Sequence, residues 1–292
     1  MQITAALVKE LRERTGAGMM DCKKALQETN GDIELAIEDM RKSGAAKAAK
    51  AAKKAGRIAA EGIISIKQDG KDAILLEINC ETDFVAKDEN FLSFVNNVID
   101  AITTQSPADV EALMGLVLGE QTIEEARLQL ISKVGEKITV RRFEKHSLEG
   151  QTGIYLHGAR IGVIVELEGG DAELAKDLAM HIAASKPVCV SEEQVAEELL
   201  NKEKEIFSAQ AEESGKPADI IEKMVSGRLK KFLKEITLLG QPFVKDPEQT
   251  IEQLLKSANA SVVSFLRYEV GEGIEKREDN VADEVMAHAK GS

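Results

Sequence analysis

Aromatic residues are scarce in this chain, at 3% of 292 positions, with two Tyr and no Trp. A stacking platform for single-stranded nucleic acid needs more aromatic faces than that. A basic excess is also missing: Lys and Arg total 38 against 51 Asp and Glu, a formal net charge of -13. A phosphate backbone repels such a chain unless its basic residues gather in one stripe. Nucleic acid is therefore a poor default partner, and a protein surface is a better one. The three cysteines, Cys22, Cys80 and Cys189, stand far apart without a C-x-x-C pair, which fits a reducing compartment rather than a disulfide framework. No apolar run approaches the ~20 residues that span a bilayer, and charges from Lys9 onward leave no secretory h-region. The expectation is a soluble, cytoplasmic protein with no membrane partner.

Enzyme constellations are lacking too. The histidines His146, His157, His181 and His288 are scattered, with no H-E-x-x-H spacing, so no zinc site is expected. No G-x-x-x-x-G-K-[ST] loop occurs, and Gly271-Glu272-Gly273 lacks the third glycine and the strand-to-helix setting of a dinucleotide fingerprint. Cys80 closes an apolar strand and reads as a small core residue. No cofactor and no covalent chemistry are expected.

What the chain does have is length for more than one core and clear changes of hydrophobic period. Its first forty residues read as three short helices. Thr4 caps the first, with Leu7, Val8 and Leu11 on one face; Gly16-Ala17-Gly18 breaks it; Asn30-Gly31 ends the second and Asp32 caps the third. Ala45 to Ala55, almost wholly Ala and Lys, reads as a solvated linker. From Gly62 the period shortens: Ile63, Ile64 and Ile66 precede a turn at Asp69-Gly70, and Ala73 to Ile78 forms a second strand. A helix near Asp88 carries Phe91, Phe94, Val95, Val98 and Ile99; a polar loop, a helix from Ile123 to Val134 and a strand from Ile138 to Phe143 follow. Strands at Gly153 to Tyr155 and Ile161 to Leu167, then a helix from Ala172 to Ala184, echo that order.

From Ser191 to Ile236 the pattern is helical and highly charged, with narrow seams at Val195, Leu199 and Ile206 and at Ile221, Val225, Phe232 and Ile236. Ser214-Gly215-Lys216-Pro217 separates two helices there. An antiparallel hairpin with a half-covered apolar edge is expected, serving as an interaction arm. A short helix from Ile251 to Leu255, a strand from Val262 to Tyr268 and a terminal helix from Val281 to Ala289 complete the reading. The fold class is α+β, with antiparallel sheets in two related subdomains.

One segment stands out. Glu77 to Asp88 runs from a buried strand into a helix, so its residues project from the end of a sheet. Phe84 there has two possible uses: a staple beneath the following helix, or an exposed apolar wedge beside the carboxylate of Asp83.

Cys80-Glu81-Thr82-Asp83-Phe84-Val85 resembles the core signature of the elongation factor Ts family, and Leu11 to Leu26 resembles its N-terminal signature. His157 to Val163, Ala183 to Pro187, Gly240-Gln241-Pro242-Phe243 and Glu269 to Glu275 resemble further family blocks in the family's order. The resemblance implies a guanine-nucleotide exchange factor that binds the GDP form of elongation factor Tu and disturbs its magnesium and phosphate site. The alternative is a helical adaptor or chaperone-like binding protein. Also implied are a UBA-like N-terminal module at 1–44, a linker at 45–56 and a core N-subdomain at 57–143. A core C-subdomain at 144–187 and 238–272, a coiled-coil arm at 188–237 and a C-terminal module at 273–292 complete the architecture. By matching motif, Asp83 and Phe84 form the exchange wedge, flanked by Thr82 and Val85; Val134, Gly135 and His157 press on the partner's phosphate loop; and Arg12, Met19 and Met20 dock the N-terminal module. Self-association in a complex with two copies of each protein is a further possibility that the resemblance raises.

Overall fold

The structure is a computed structural model that describes residues 3–15, 19–40 and 57–274. The Ala-Lys linker, the expected terminal helix and the side chains of Arg12, Met19 and Met20 lie outside the described residues. The chain divides into two compact units, one of residues 1–63, 76–143 and 270–292 and the other of residues 64–75 and 144–269.

Three helices open the first unit: α1 (Ala5–Thr15), α2 (Met19–Glu28) and α3 (residues 33–40). Leu7 N donates to Thr4 Oγ1 at 3.3 Å and Leu35 N to Asp32 Oδ1 at 3.0 Å, so both expected caps form. Leu11, Cys22, Ala25, Leu26 and Ala36 make a thin core, flanked by Ile33, Ile37 and Met40.

An α+β region follows. Strands β1 (Glu61–Asp69) and β2 (Asp72–Cys80) form a hairpin, and with β5 (Thr139–Ser147) a sheet in the order β1-β2-β5. Positive φ at the turn falls on Gly70, where glycine tolerates it at no steric cost. Every residue of β2 from Ala73 to Cys80 is buried. That explains why its apolar run is continuous rather than alternating. Gly62 keeps β1 close to it, since a Cβ there would stand 2.1 Å from Ile78 O.

Glu77 interrupts that run with a fully buried charge. Its carboxylate accepts from Arg141 Nη1 at 3.0 Å, Arg142 Nε at 2.6 Å, Asn79 Nδ2 at 3.0 Å and Gly271 N at 2.8 Å. Desolvation alone would raise its pKa. Donors from Gly271, Asn79 and Arg142 outweigh that and hold the carboxyl below the usual glutamate range. Arg141 Nη2 also donates to Glu272 O, tying residues 271 and 272 to this sheet.

After a 3-10 turn (Val85–Lys87), helix α4 (Glu89–Gln105) is capped by Asp88, which accepts from Asn90 N and Phe91 N. It buries Phe91, Phe94, Val95, Val98, Ile99 and Ile102 and packs on α6 (Ile123–Val134). The polar loop expected between them is more ordered than composition suggested. Asp109 caps a short helix, α5 (Val110–Met114), anchored by the fully buried Leu113, and β3 (Val117–Leu118) pairs with β4 (Gln121–Thr122).

In the second unit, β6 (Gln151–His157), β7 (Ile161–Glu168) and β10 (Ser261–Glu269) form an antiparallel sheet in the order β10-β7-β6. Helix α7 (Ala172–Ser185) covers one face with Ala175, Leu178, Ala179 and Ile182 against Val163, Val165 and Leu167. Gly153 permits that approach, because a Cβ there would lie 2.0 Å from Ala175 O. At Gly162 an added Cβ would meet Ile64 and Leu75 from the part of the β1-β2 hairpin that belongs to this unit.

Gly240-Gln241-Pro242-Phe243 belongs to a small ribbon missing from the sequence reading, β8 (Pro242–Phe243) with β9 (Asp246–Thr250). Helix α10 (Ile251–Ser257) follows under a Thr250-Gln253 capping box. Gln241 is the reason the motif sits where it does. Its Nε2 donates to Ser185 O and Glu235 O, and its Oε1 stands 3.0 Å from Nε2 of the fully buried His181. Val244 N donates to His181 Nδ1 at 3.3 Å, and burial lowers the pKa of this imidazole.

Helices α8 (Glu197–Glu212) and α9 (Ala218–Ile236) run antiparallel. Phe207 meets the edge of Phe232 with centroids 6.2 Å apart, and Arg228 Nη1 donates to Gln210 Oε1. The seam is thinner than expected and shifted by one position on α8: Ile206 is exposed, while Phe207 faces α9 and Ala211 is buried. Val195 precedes the helix. Chain entry and exit are stapled together, Val188 N donating to Ile236 O and Leu238 N to Cys189 O. Among the described residues, no helix is long and apolar enough to cross a membrane.

Candidate functional site

Strand β2 ends at Cys80, where the sequence turns polar. The Cys80 thiol is fully buried and donates to Thr82 O at 3.1 Å. Burial first, then the charges of Glu136 and Glu61, push its pKa up to about 12, so it stays a protonated core residue. The chain then bends through Thr82 and Asp83. Ala86 N donates to Thr82 O, Lys87 N to Phe84 O and Asp88 N to Val85 O, winding residues 85–87 into the 3-10 turn.

That turn decides how Phe84 is used. A hydrophobic staple joins the residue before the N-cap to the fourth helical position. Since Asp88 is the cap of α4, the residue before it is Lys87, and Phe84 lies too far upstream. Its ring is 81% exposed, more than any other large apolar side chain among the described residues. Asp83 stands beside it, also largely exposed, with Lys87 Nζ donating to Asp83 Oδ2 at 2.8 Å. Thr82 and Val85 are half-buried at the base of this corner.

Gly135 ends α6 in the left-handed conformation at φ 79°, which glycine accepts without strain. Val134 is half-buried and Gly135 exposed. This second segment meets the first, because Glu136 Oε2 accepts from Glu81 N at 3.1 Å and Thr82 N at 3.0 Å, while its Oε1 accepts from Thr82 Oγ1 at 2.6 Å. Glu136 carries no motif signal and was missed in the sequence reading; its partners lie 54 and 55 residues away.

His157 belongs to the second unit, at the tight turn between β6 and β7. Gly158 and Ala159 both adopt positive φ, and Arg160 N donates to His157 O at 3.0 Å, a type I′ geometry. The imidazole is exposed, with Nδ1 3.0 Å from Tyr155 Oη. For Arg12, Met19 and Met20 only the helical backbone of α1 and α2 is described. Among the described residues, no group of three His, Cys, Asp or Glu side chains could hold a metal ion. What the arrangement offers chemically is an apolar ring and a carboxylate on a braced corner.

Comparison with known proteins places the chain. The family model described as "Elongation factor TS" matches residues 81–272, more than half of its length. Curated proteins named Elongation factor Ts align from end to end. The one from Thioalkalivibrio sulfidiphilus is 65% identical over 296 residues, the one from Methylococcus capsulatus 60% over 296 and the one from Alkalilimnicola ehrlichii 59% over 295, each alignment covering 100% of both chains. The motifs around Phe84, the α+β architecture and these full-length matches agree: the chain belongs to the elongation factor Ts family.

Proposed function

We propose that this chain is the guanine-nucleotide exchange factor for elongation factor Tu, and that the Asp83-Phe84 corner is the part that loosens GDP. Family membership supports the activity and does not favour a helical adaptor. The observation that carries the mechanism is the exposure of Phe84: a ring left 81% in water is available to a partner. Burying a Phe side chain is worth about 1.5–3 kcal/mol. If that gain is realised only in the state of elongation factor Tu that holds GDP poorly, it weakens GDP binding about ten- to a hundredfold. The Asp83 carboxylate would act against the same ground state by repelling the GDP phosphates and competing with them for the magnesium ion that neutralises their charge.

In this reading Thr82 and Val85 set the base of the wedge, and Val134, Gly135 and His157 press on the partner's phosphate loop. Arg12, Met19 and Met20 dock a UBA-like module at 1–44 beyond the linker at 45–56. The core comprises subdomains at 57–143 and at 144–187 with 238–272. The α8-α9 hairpin is the coiled-coil arm at 188–237, and a C-terminal module spans 273–292. Self-association in a complex with two copies of each protein, no direct nucleic-acid contact, no cofactor and a cytoplasmic setting complete the proposal.

Release of fluorescently labelled GDP from purified elongation factor Tu tests it by stopped flow. Asp83→Ala with Phe84→Ala should slow release at saturating exchange factor while complex formation persists. Release at the unaltered rate would refute the wedge.

A further inference from the structure

We infer that Glu136 is a positioning residue for exchange: its carboxylate locks the Asp83-Phe84 corner to the Val134-Gly135 segment so that both meet the partner as one rigid edge. The inference rests on the exchange reading above. Its grounds are geometric. One carboxylate receives three donors from the loop that presents the wedge, two backbone amides and one hydroxyl, all at 3.1 Å or less. The Thr82 hydroxyl that donates to Glu136 also accepts from Val85 N at 3.4 Å, so the restraint passes through the residues on either side of Asp83 and Phe84.

The lock is reciprocal. Glu81 Oε1 accepts from Lys137 N at 2.6 Å, the residue after Glu136. Arg57 Nη1 bridges the same two segments, donating to Glu81 Oε1 at 3.3 Å and Gly135 O at 3.2 Å, while Lys137 Nζ donates to Arg57 O. Each loop thus supplies a carboxylate to the other's amides. Charge-assisted bonds of this kind are stronger than neutral ones and fix direction as well as distance. Neither Glu136 nor Glu81 needs to touch the partner for this to matter. An apolar wedge delivers its binding energy to one state only if its direction is set beforehand, and a loop that must be ordered on contact surrenders part of that energy. Glu136 is half-buried behind the corner and holds the backbone at Thr82, the residue before Asp83.

The test is a double-mutant cycle with the full chain, following labelled GDP release from elongation factor Tu over a range of exchange-factor concentrations. Glu136→Ala should lower the maximal release rate about tenfold, less than the roughly hundredfold that a misplacement of about 1 Å can cost, with the half-saturating concentration changed less than about threefold. Glu136→Gln, which keeps an acceptor for the amides and a polar group for Thr82, should recover most of the rate. In an Asp83→Ala, Phe84→Ala background, Glu136→Ala should change the rate less than about twofold, because the wedge it aims is gone. A general structural loss would instead multiply through both backgrounds, and that result overturns the inference. So does a maximal rate in Glu136→Ala equal to that of the parent. Should Glu136→Ala fail to fold, Thr82→Val, which removes the hydroxyl's bond to Glu136, carries the same cycle. Failure of Asp83→Ala with Phe84→Ala to slow release would sink the wedge reading itself, a different outcome from an inert Glu136.

Discussion

Replacing Glu77 by Gln offers the sharpest check on what holds the first unit together. The substitution keeps shape and removes charge. Gln can still accept from Asn79 and Gly271, but its amide nitrogen then confronts Arg141 or Arg142, donor against donor. Removing one partner of a buried ion pair costs about 3–5 kcal/mol. The arginine side chains are 25% and 31% exposed and can rehydrate in part, so about 2–3 kcal/mol is the expected loss. That corresponds to a fall in Tm of roughly 5–10 °C for a unit of this size.

Acid supplies an independent arm. With its folded pKa depressed, the ionised Glu77 stabilises fully above the unfolded value near 4.3, and this contribution is lost as pH falls through the folded value. Without a titrating group at position 77, the variant should lack that part of the acid limb. Circular dichroism melts between about pH 3 and 7, with amide exchange read at Gly271, follow both effects. A Tm within about 1 °C of the parent at pH 7 and a superimposable acid limb would refute the claim that these donors depend on the Glu77 charge.

Phe84→Ala and Phe91→Ala should differ sharply in stability although seven positions separate them. About a fifth of the Phe84 ring is buried, some 40 Å² and at most about 1 kcal/mol, whereas the fully buried Phe91 should cost about 3–5 kcal/mol. Equal losses in urea denaturation would contradict the exposure of Phe84. His181 should make the second unit acid-sensitive. Its folded pKa lies below the unfolded value near 6.5, so stability is present above that value and declines as pH falls from it toward the folded pKa. His181→Gln should flatten that decline. Both tyrosines, Tyr155 and Tyr268, lie in the second unit, so their fluorescence reports its melting without interference from the first.

Much of this architecture was legible residue by residue. Strand β2 announced itself as an apolar run, α4 by its helical spacing behind the Asp88 cap, and the α8-α9 hairpin by a break at Gly215 between two charged helices. Other features depend on partners that no local pattern specifies. Whether Phe84 staples or protrudes turns on the three-residue 3-10 turn between it and the cap, and that turn is set by hydrogen bonds from Thr82 and Phe84 carbonyls. Family resemblance singled out Phe84, and its exposure is what supports the wedge proposed for it. Glu136 was hidden because its donors lie half a hundred residues upstream. Phe207 displaced Ile206 from the seam because a one-position rotation of a mostly polar helix changes little in its periodicity. The polar loop concealed α5 because one buried Leu113 suffices to anchor five residues.

The bond from Gly271 N to Glu77 spans 194 positions of chain. At synthesis rates of about 5–20 residues per second, roughly 10–40 s pass between the making of one partner and the arrival of the other. For that interval a carboxylate in the middle strand lacks one of its donors, although Arg141 and Arg142 appear much earlier. The first unit, begun before the second, is therefore completed after it. Strand β10, which closes the second sheet, ends at Glu269, only two residues before Gly271, which makes residues 270–272 the closing piece of a structure started two hundred residues before.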